Sequence, residues 1–212
     1  MVASGARDQG QAFPLYVGTV AVLLFAALAF VVVGMAGATR SQAQGAADAA
    51  ALAAAREARD SVFTGLVLQD LKPEEWQEIL DGEFFDAEGA CDEAESFAAL
   101  NDSGEAPVIC EPSLPRFTVT VQTNDTVGKS VIPGSDTFHA TATATAVIEP
   151  RCSLSSDPTP EPTPPPGDET DKPDPDPVNF ECDDDRAFKL DPLNPGKLAD
   201  LARSLFKVRL DG

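Results

Sequence analysis

The sequence predicts an α+β fold: a long N-terminal transmembrane helix extended by an Ala-rich helix, a small antiparallel β head with short helices, a Pro-rich spacer and a small C-terminal hairpin-helix element. Three observations predict it. No charged residue stands between Asp8 and Arg40. Residues 117–123 and 139–148 alternate apolar side chains with Thr, the period of a half-buried strand. Nine prolines crowd residues 153–177, a composition that buries no core. The expected division of the 212 residues is a terminus at 1–12, a membrane helix at 13–38, a head at 39–152, a linker at 153–178 and a C-terminal segment at 179–212.

The membrane segment comes first. Phe13 to Val33 is built of Val, Leu, Ala and Phe, with Tyr16 and Thr19 as its polar interruptions. A helix needs about 20 mostly apolar residues to cross the hydrocarbon core. This stretch is apolar all round, so it has no polar face to show to water. Pro14 stands near the start, where a missing amide is tolerated, and Tyr16 suits an interface. Ala36-Gly37-Ala38 resembles a signal-peptidase site. The apolar run exceeds the 7–15 residues of a secretory signal, which favours a retained anchor.

Two signals for orientation disagree. Arg7 precedes the segment, whereas Arg40, Arg56 and Arg59 follow it, and basic residues favour the inside. Cys91, Cys110, Cys152 and Cys182 all lie beyond it, an even set that suits disulfides in an oxidising space. The cysteines and the Pro-Thr-rich stretch decide the expectation: a single-pass protein of the cell membrane with a cytoplasmic N-terminus and an extracytoplasmic bulk.

From Ser41 onward the chain is rich in Ala, Gln and charged residues and free of proline, so the helix should continue over 41–59. A hinge near Gly34 or Gly37, with a separate amphipathic helix, is the other reading. The small side chains of Ala46, Ala47, Ala50, Ala53 and Ala54 would let another helix approach closely.

Residues 60–111 hold fifteen acids against Lys72. Pro73 with Glu74 and Glu75 makes a sensible helix start, and Trp76, Ile79 and Leu80 form an apolar stripe. Phe84, Phe85, Phe97 and Leu100 continue the apolar set within a helical segment of 70–102. Acids so spaced are expected to be a solvated face, and no D-x-D-x-D-G calcium loop occurs.

The two alternating stretches most simply pair as a hairpin over 116–149, with the Ala-rich helix as cover, because two strands alone are marginal. Beyond the prolines, Phe180–Cys182 and Ala187–Leu190 read as a short hairpin. Leu198, Leu201, Ala202 and Leu205 then mark one helical face, and residues 207–210 a final strand. From Arg186 onward six basic side chains meet three acids, so this end could dock on the acidic segment. Four cysteines allow three pairings; Cys91–Cys110 with Cys152–Cys182 would staple the acidic loop and bracket the spacer.

Little catalytic chemistry is on offer. The single His139 lies on an alternating strand. No phosphate loop, G-x-S-x-G elbow, H-E-x-x-H or metal-spaced Cys/His set occurs. Asp183-Asp184-Asp185 is expected to be a polar turn. We therefore expect no enzyme, no catalytic residue, no cofactor, no metal and no small-molecule substrate. A net charge of −20 argues against nucleic acid, where affinity comes from Lys and Arg on phosphates.

Three features together resemble a known family. Asp8-Gln9-Gly10-Gln11-Ala12 precedes the apolar helix, the run from Arg40 to Ala55 reads RSQAQGAADAAALAAA, and an Ala/Thr strand ends at Glu149-Pro150. This pattern is similar to TadE/TadG-like proteins of the Flp (tight adherence) pilus system, in the form common in high-GC Gram-positive bacteria. The resemblance covers about residues 7–60 well and 115–150 loosely, and Gly45 stands where Asn is usual. It implies a pseudopilin-like minor component or assembly factor at the cell surface, partnered by other membrane proteins of a Flp/Tad pilus or secretion system. Some relatives are cut by a prepilin peptidase after a glycine with a glutamate five residues on; here Gly10 is followed at that place by Leu15. The reading from a different class is a membrane-anchored surface binding or adhesion module with an acidic, cation-binding head.

Overall fold

The computed structural model describes residues 12–128, 134–155, 175–183 and 186–211. The expected N-terminus, nearly all of the Pro-rich linker, and Asp184 and Asp185 lie outside the described residues.

One helix dominates. α1 (Ala12–Ser61) runs unbroken for 50 residues, about 75 Å at 1.5 Å per residue. Neither Gly34 nor Gly37 makes a hinge. Pro14 falls in the first turn, where it removes no intrahelical bond. Thr19 and Thr39 return their hydroxyls to the carbonyls of Leu15 and Met35, so neither presents an unmet donor along the apolar half.

After α1 a connection with one turn of 3-10 helix at Leu68–Asp70 leads to α2 (Pro73–Asp81). Pro73 pre-sets the first helical residue, and Glu75 accepts a 2.8 Å bond from the Lys72 amide, satisfying a donor at the helix entry. The helix stops at Gly82, whose φ of +88° suits glycine. A Cβ there would also stand 3.1 Å from the Phe85 ring, so space and backbone agree on the residue. α3 (Ala90–Leu100) follows. The acidic segment is thus two short helices on either side of this turn.

The α3 face that packs differs from the expected one. Ala90, Ala94 and Ala98 are buried at i, i+4 spacing, Phe97 is half-buried, and Leu100 is 75% exposed. α3 lies directly against α1, and alanines on both helices allow that approach.

The hairpin of β2 (Arg116–Thr126) and β3 (His139–Pro150) is present, but it is the centre of a four-stranded sheet. β1 (Ile109–Ser113) borders β2, and the last strand of the chain borders β3, all antiparallel. Alternation sorts the faces. Phe117, Val119, Val121, Ala144, Ala146 and Ile148 turn inward to α1. The Thr118–Thr145 and Thr120–Thr143 hydroxyl pairs, at 2.9 and 2.7 Å, lie on the opposite face. The Leu114–Pro115 peptide between β1 and β2 is cis.

A second sheet of three strands joins β4 (Cys152–Leu154), β5 (Val178–Cys182) and β6 (Arg186–Leu190). β4 and β5 occupy both ends of the stretch expected to be linker over 153–178. Three residues at one end and the start of another strand at the other were too short to show a period beside so many prolines. α4 (Leu198–Leu205) and β7 (Phe206–Leu210) complete the chain, with β7 pairing β3 in register from Ala146–Leu210 to Pro150–Phe206.

One contiguous core holds the head together. Phe63, Trp76 and Phe180 make a row with ring centroids 6.0 and 5.7 Å apart, and Phe85 meets Phe206 edge-on at 5.1 Å. Residues from the first helix, the acidic segment and the C-terminal segment therefore share one buried cluster.

Candidate assembly interface

The two halves of α1 meet different surroundings. Up to Ala38 its large apolar side chains point outward, with Phe25 and Phe30 each 79% exposed. Burying one such side chain is worth about 1.5–3 kcal/mol, so a continuous apolar cylinder in water would be strongly disfavoured. It is the one helix among the described residues long and apolar enough to cross a membrane.

Beyond Thr39 the helix enters the head. Ala46, Ala47, Ala50, Ala53 and Ala54 are all buried there, in a core made by α1 with α3, β2, β3 and α4. Their small size does permit close approach, but the elements that approach belong to the same chain. Ser41, Gln42, Gln44, Gly45, Arg56 and Glu57 remain exposed on this half.

Both disulfides sit in the head. Cys91–Cys110 fastens α3 to β1, and Cys152–Cys182 joins directly paired residues of β4 and β5. No free cysteine is present among the described residues. The second bridge brackets the Pro-rich stretch, as expected of that pairing, and joins the strands on either side of it.

The basic C-terminal segment docks, but largely away from the acidic helices. Arg203 on α4 pairs with Asp60 at the end of α1, Arg209 on β7 with Glu149 on β3, and Arg116 with Asp211. Lys207 lies 3.6 Å from both Glu149 and Asp183. The hydrogen bond from Arg209, helped by the charges of Arg209 and Lys207, holds the Glu149 carboxyl below its ordinary range, while burial works against it. In return Glu149 raises Arg209, and Asp60 raises Arg203. Opposite charge on the tail is legible in the sequence; its partner 143 residues away carries no local signal.

Reactive groups are few. His139 Nδ1 stands 2.8 Å from the Thr123 carbonyl oxygen, a structural contact at a strand end. Among the described residues no group of three or more His, Cys, Asp or Glu could hold a metal ion. A recess of about 330 Å³ beside the second disulfide is lined by Arg151, Arg186, Arg203 and Ser204 with Cys182 and Phe188. Arg203 is engaged by Asp60 and Asp200. Trp76 is 1% exposed, and its indole Nε1 has no hydrogen-bond partner among the described residues.

Residues 10–57 match the family model Tad, described as Flp pilus-assembly TadE/G-like. The matched stretch coincides with α1 nearly from end to end. No curated protein and no solved structure matches the chain.

Proposed function

We propose, with the Tad family match as premise, that this chain is a non-enzymatic, single-pass membrane protein of a Flp/Tad-type pilus or secretion system. It acts as a pseudopilin-like minor component or assembly factor at the cell surface. The observation that carries this reading is the coincidence of the family match with one continuous helix whose apolar half is exposed and whose alanine half is the spine of a head. Two disulfides in that head support an extracytoplasmic position, and with it a cytoplasmic N-terminus.

Partner contact on this reading falls to the exposed apolar half of α1 and the outer surface of the head, since the alanine face is occupied. Other membrane proteins of the same system are the expected partners. The test is crosslinking in intact cells at positions along α1, followed by identification of the captured proteins. Capture of Flp/Tad membrane components from residues 15–33, and none from the alanine face, is the expected result. Recovery of no such component from any position would remove the proposal.

A further inference from the structure

The end of the head where β2 approaches β3 stands level with the outer end of the apolar half of α1. The position follows from α1. Counting from Phe13, Met35 stands about 33 Å along the helix at 1.5 Å per residue. The hydrocarbon core is about 30 Å thick, so Met35 lies in the outer headgroup layer when Phe13 stands at the inner boundary. The end of the β2–β3 pair reaches that level: a Cβ on Gly128 would come within 3.2 Å of Met35 Cε. Thr39, one turn further, is already buried while the preceding apolar half is exposed.

This end is built from several bonded pieces. The Val127 amide donates to the Phe138 carbonyl at 2.8 Å, and the Ser135 hydroxyl to the Gly128 carbonyl at 2.8 Å. Asn124 accepts from the amides of Gly104 and Glu105 and donates its own amide to Asp102, which brings the exit of α3 to the same end. Among the described residues outside the apolar half of α1, the two most exposed large apolar side chains are Leu100, at 75%, and Phe138, at 60%. Both belong to this end of the head. Phe138 is one residue from β3 and bonded through its carbonyl to the strand that leads to Gly128.

We propose that Phe138 inserts into the headgroup–acyl boundary of the bilayer that α1 spans, with Leu100 above it, so that the head rests on the membrane by its β2–β3 end. This rests on α1 spanning a bilayer, as proposed above. Aromatic side chains favour that boundary because it accepts an apolar ring beside water. Among the described residues the charged groups at this end are Asp102, Glu105, Asp125 and Asp136, with Arg40 on α1, and the sequence adds Lys129 between the two strands. Four acids outnumber two cations, so the surface matches a zwitterionic rather than an anionic leaflet.

The test uses the full chain reconstituted in phosphatidylcholine vesicles whose acyl chains carry bromine, a contact quencher of indole. Phe138→Trp, Phe25→Trp and Leu193→Trp are compared with the wild-type chain, whose buried Trp76 sets the baseline. Leu193 precedes α4, whose Arg203 grips the far end of α1. Loss of the added emission at positions 25 and 138, but not at 193, is the expected result, and the loss at 138 shrinks when phosphatidylglycerol is added. Quenching at 25 without quenching at 138 overturns the contact and leaves the anchor standing. Equal quenching at 138 and 193 also overturns it, as undirected adsorption. No quenching at 25 overturns the anchor and this proposal together.

Discussion

Arg203 donates two hydrogen bonds, of 3.1 and 2.6 Å, to one carboxylate oxygen of Asp60, across 143 residues of chain. The pair fastens α4 to the last turn of α1 and so ties the basic segment to the long N-terminal helix. Replacing either partner, by Arg203→Gln or Asp60→Asn, lowers the melting temperature of the solubilised chain. A double-mutant cycle returns a coupling that shrinks at 1 M salt, since the pair is partly exposed. Additive single effects would show that the tail is held by packing alone.

The α1–α3 contact depends on alanines. Ala94→Leu places three extra carbons in a buried site and costs about 1–3 kcal/mol. Leu100→Ala, on the exposed side of the same helix, changes stability by less than about 0.5 kcal/mol. Chemical denaturation of the two variants in the same detergent checks both.

Trp76 packs between Phe63 and Phe180, and its indole N–H has no partner among the described residues. Trp76→Ala costs about 3–5 kcal/mol through the cavity it opens. Trp76→Phe costs much less, because it keeps most of the ring and removes a buried donor that has no acceptor. A Phe variant as unstable as the Ala variant would mean that the N–H finds a partner in solution.

Removing the β4–β5 bridge by Cys152→Ala with Cys182→Ala frees a loop with a sequence separation of 30. The expected loss is about 3–4 kcal/mol, somewhat more than for the Cys91–Cys110 bridge with its separation of 19. Equilibrium unfolding of the two bridge-free chains provides the comparison.

Glu149 titrates lower folded than unfolded, because Arg209 and Lys207 favour its charged form. Its contribution is complete above the ordinary value of 4.5 and disappears as pH falls through the lower folded value. Glu149→Gln therefore destabilises at neutral pH and flattens the acid limb of the stability profile. Parallel melts of wild type and variant from pH 7 to 3 should converge at the acid end.

The elements that declare themselves by period or composition were legible. The apolar run, the Ala-rich extension, the Trp76-Ile79-Leu80 stripe and the Thr-alternating hairpin each repeat a local pattern over enough residues to be read. β1 was not, because Ile109–Ser113 holds an acid, a cysteine and a proline and follows an acidic stretch. β7 was read as a strand, but its place beside β3 is a matter of distant pairing. The alanine face shows in the sequence as a run of small side chains, and in the fold it is buried. What approaches it could not be read, since α3 supplies alanines on its own weak pattern, with Leu100 as an apolar decoy. The interface is legible to the same degree: its apolar half is written in composition, while the approach of Gly128 to Met35 depends on how far β2 extends along α1.

The pairing of β7 with β3 also sets an order of events during synthesis. Synthesis completes α1, β2 and β3 well before residues 206–210 are made. Until then β3 has an open edge, and Phe85 lacks the ring of Phe206. An unpaired edge is a template for mispairing, so a truncated product would be recognisable to proteases and holding chaperones. The sheet of the head is thus complete only when β7 has arrived, and a stalled or shortened copy is exposed by the gap it leaves.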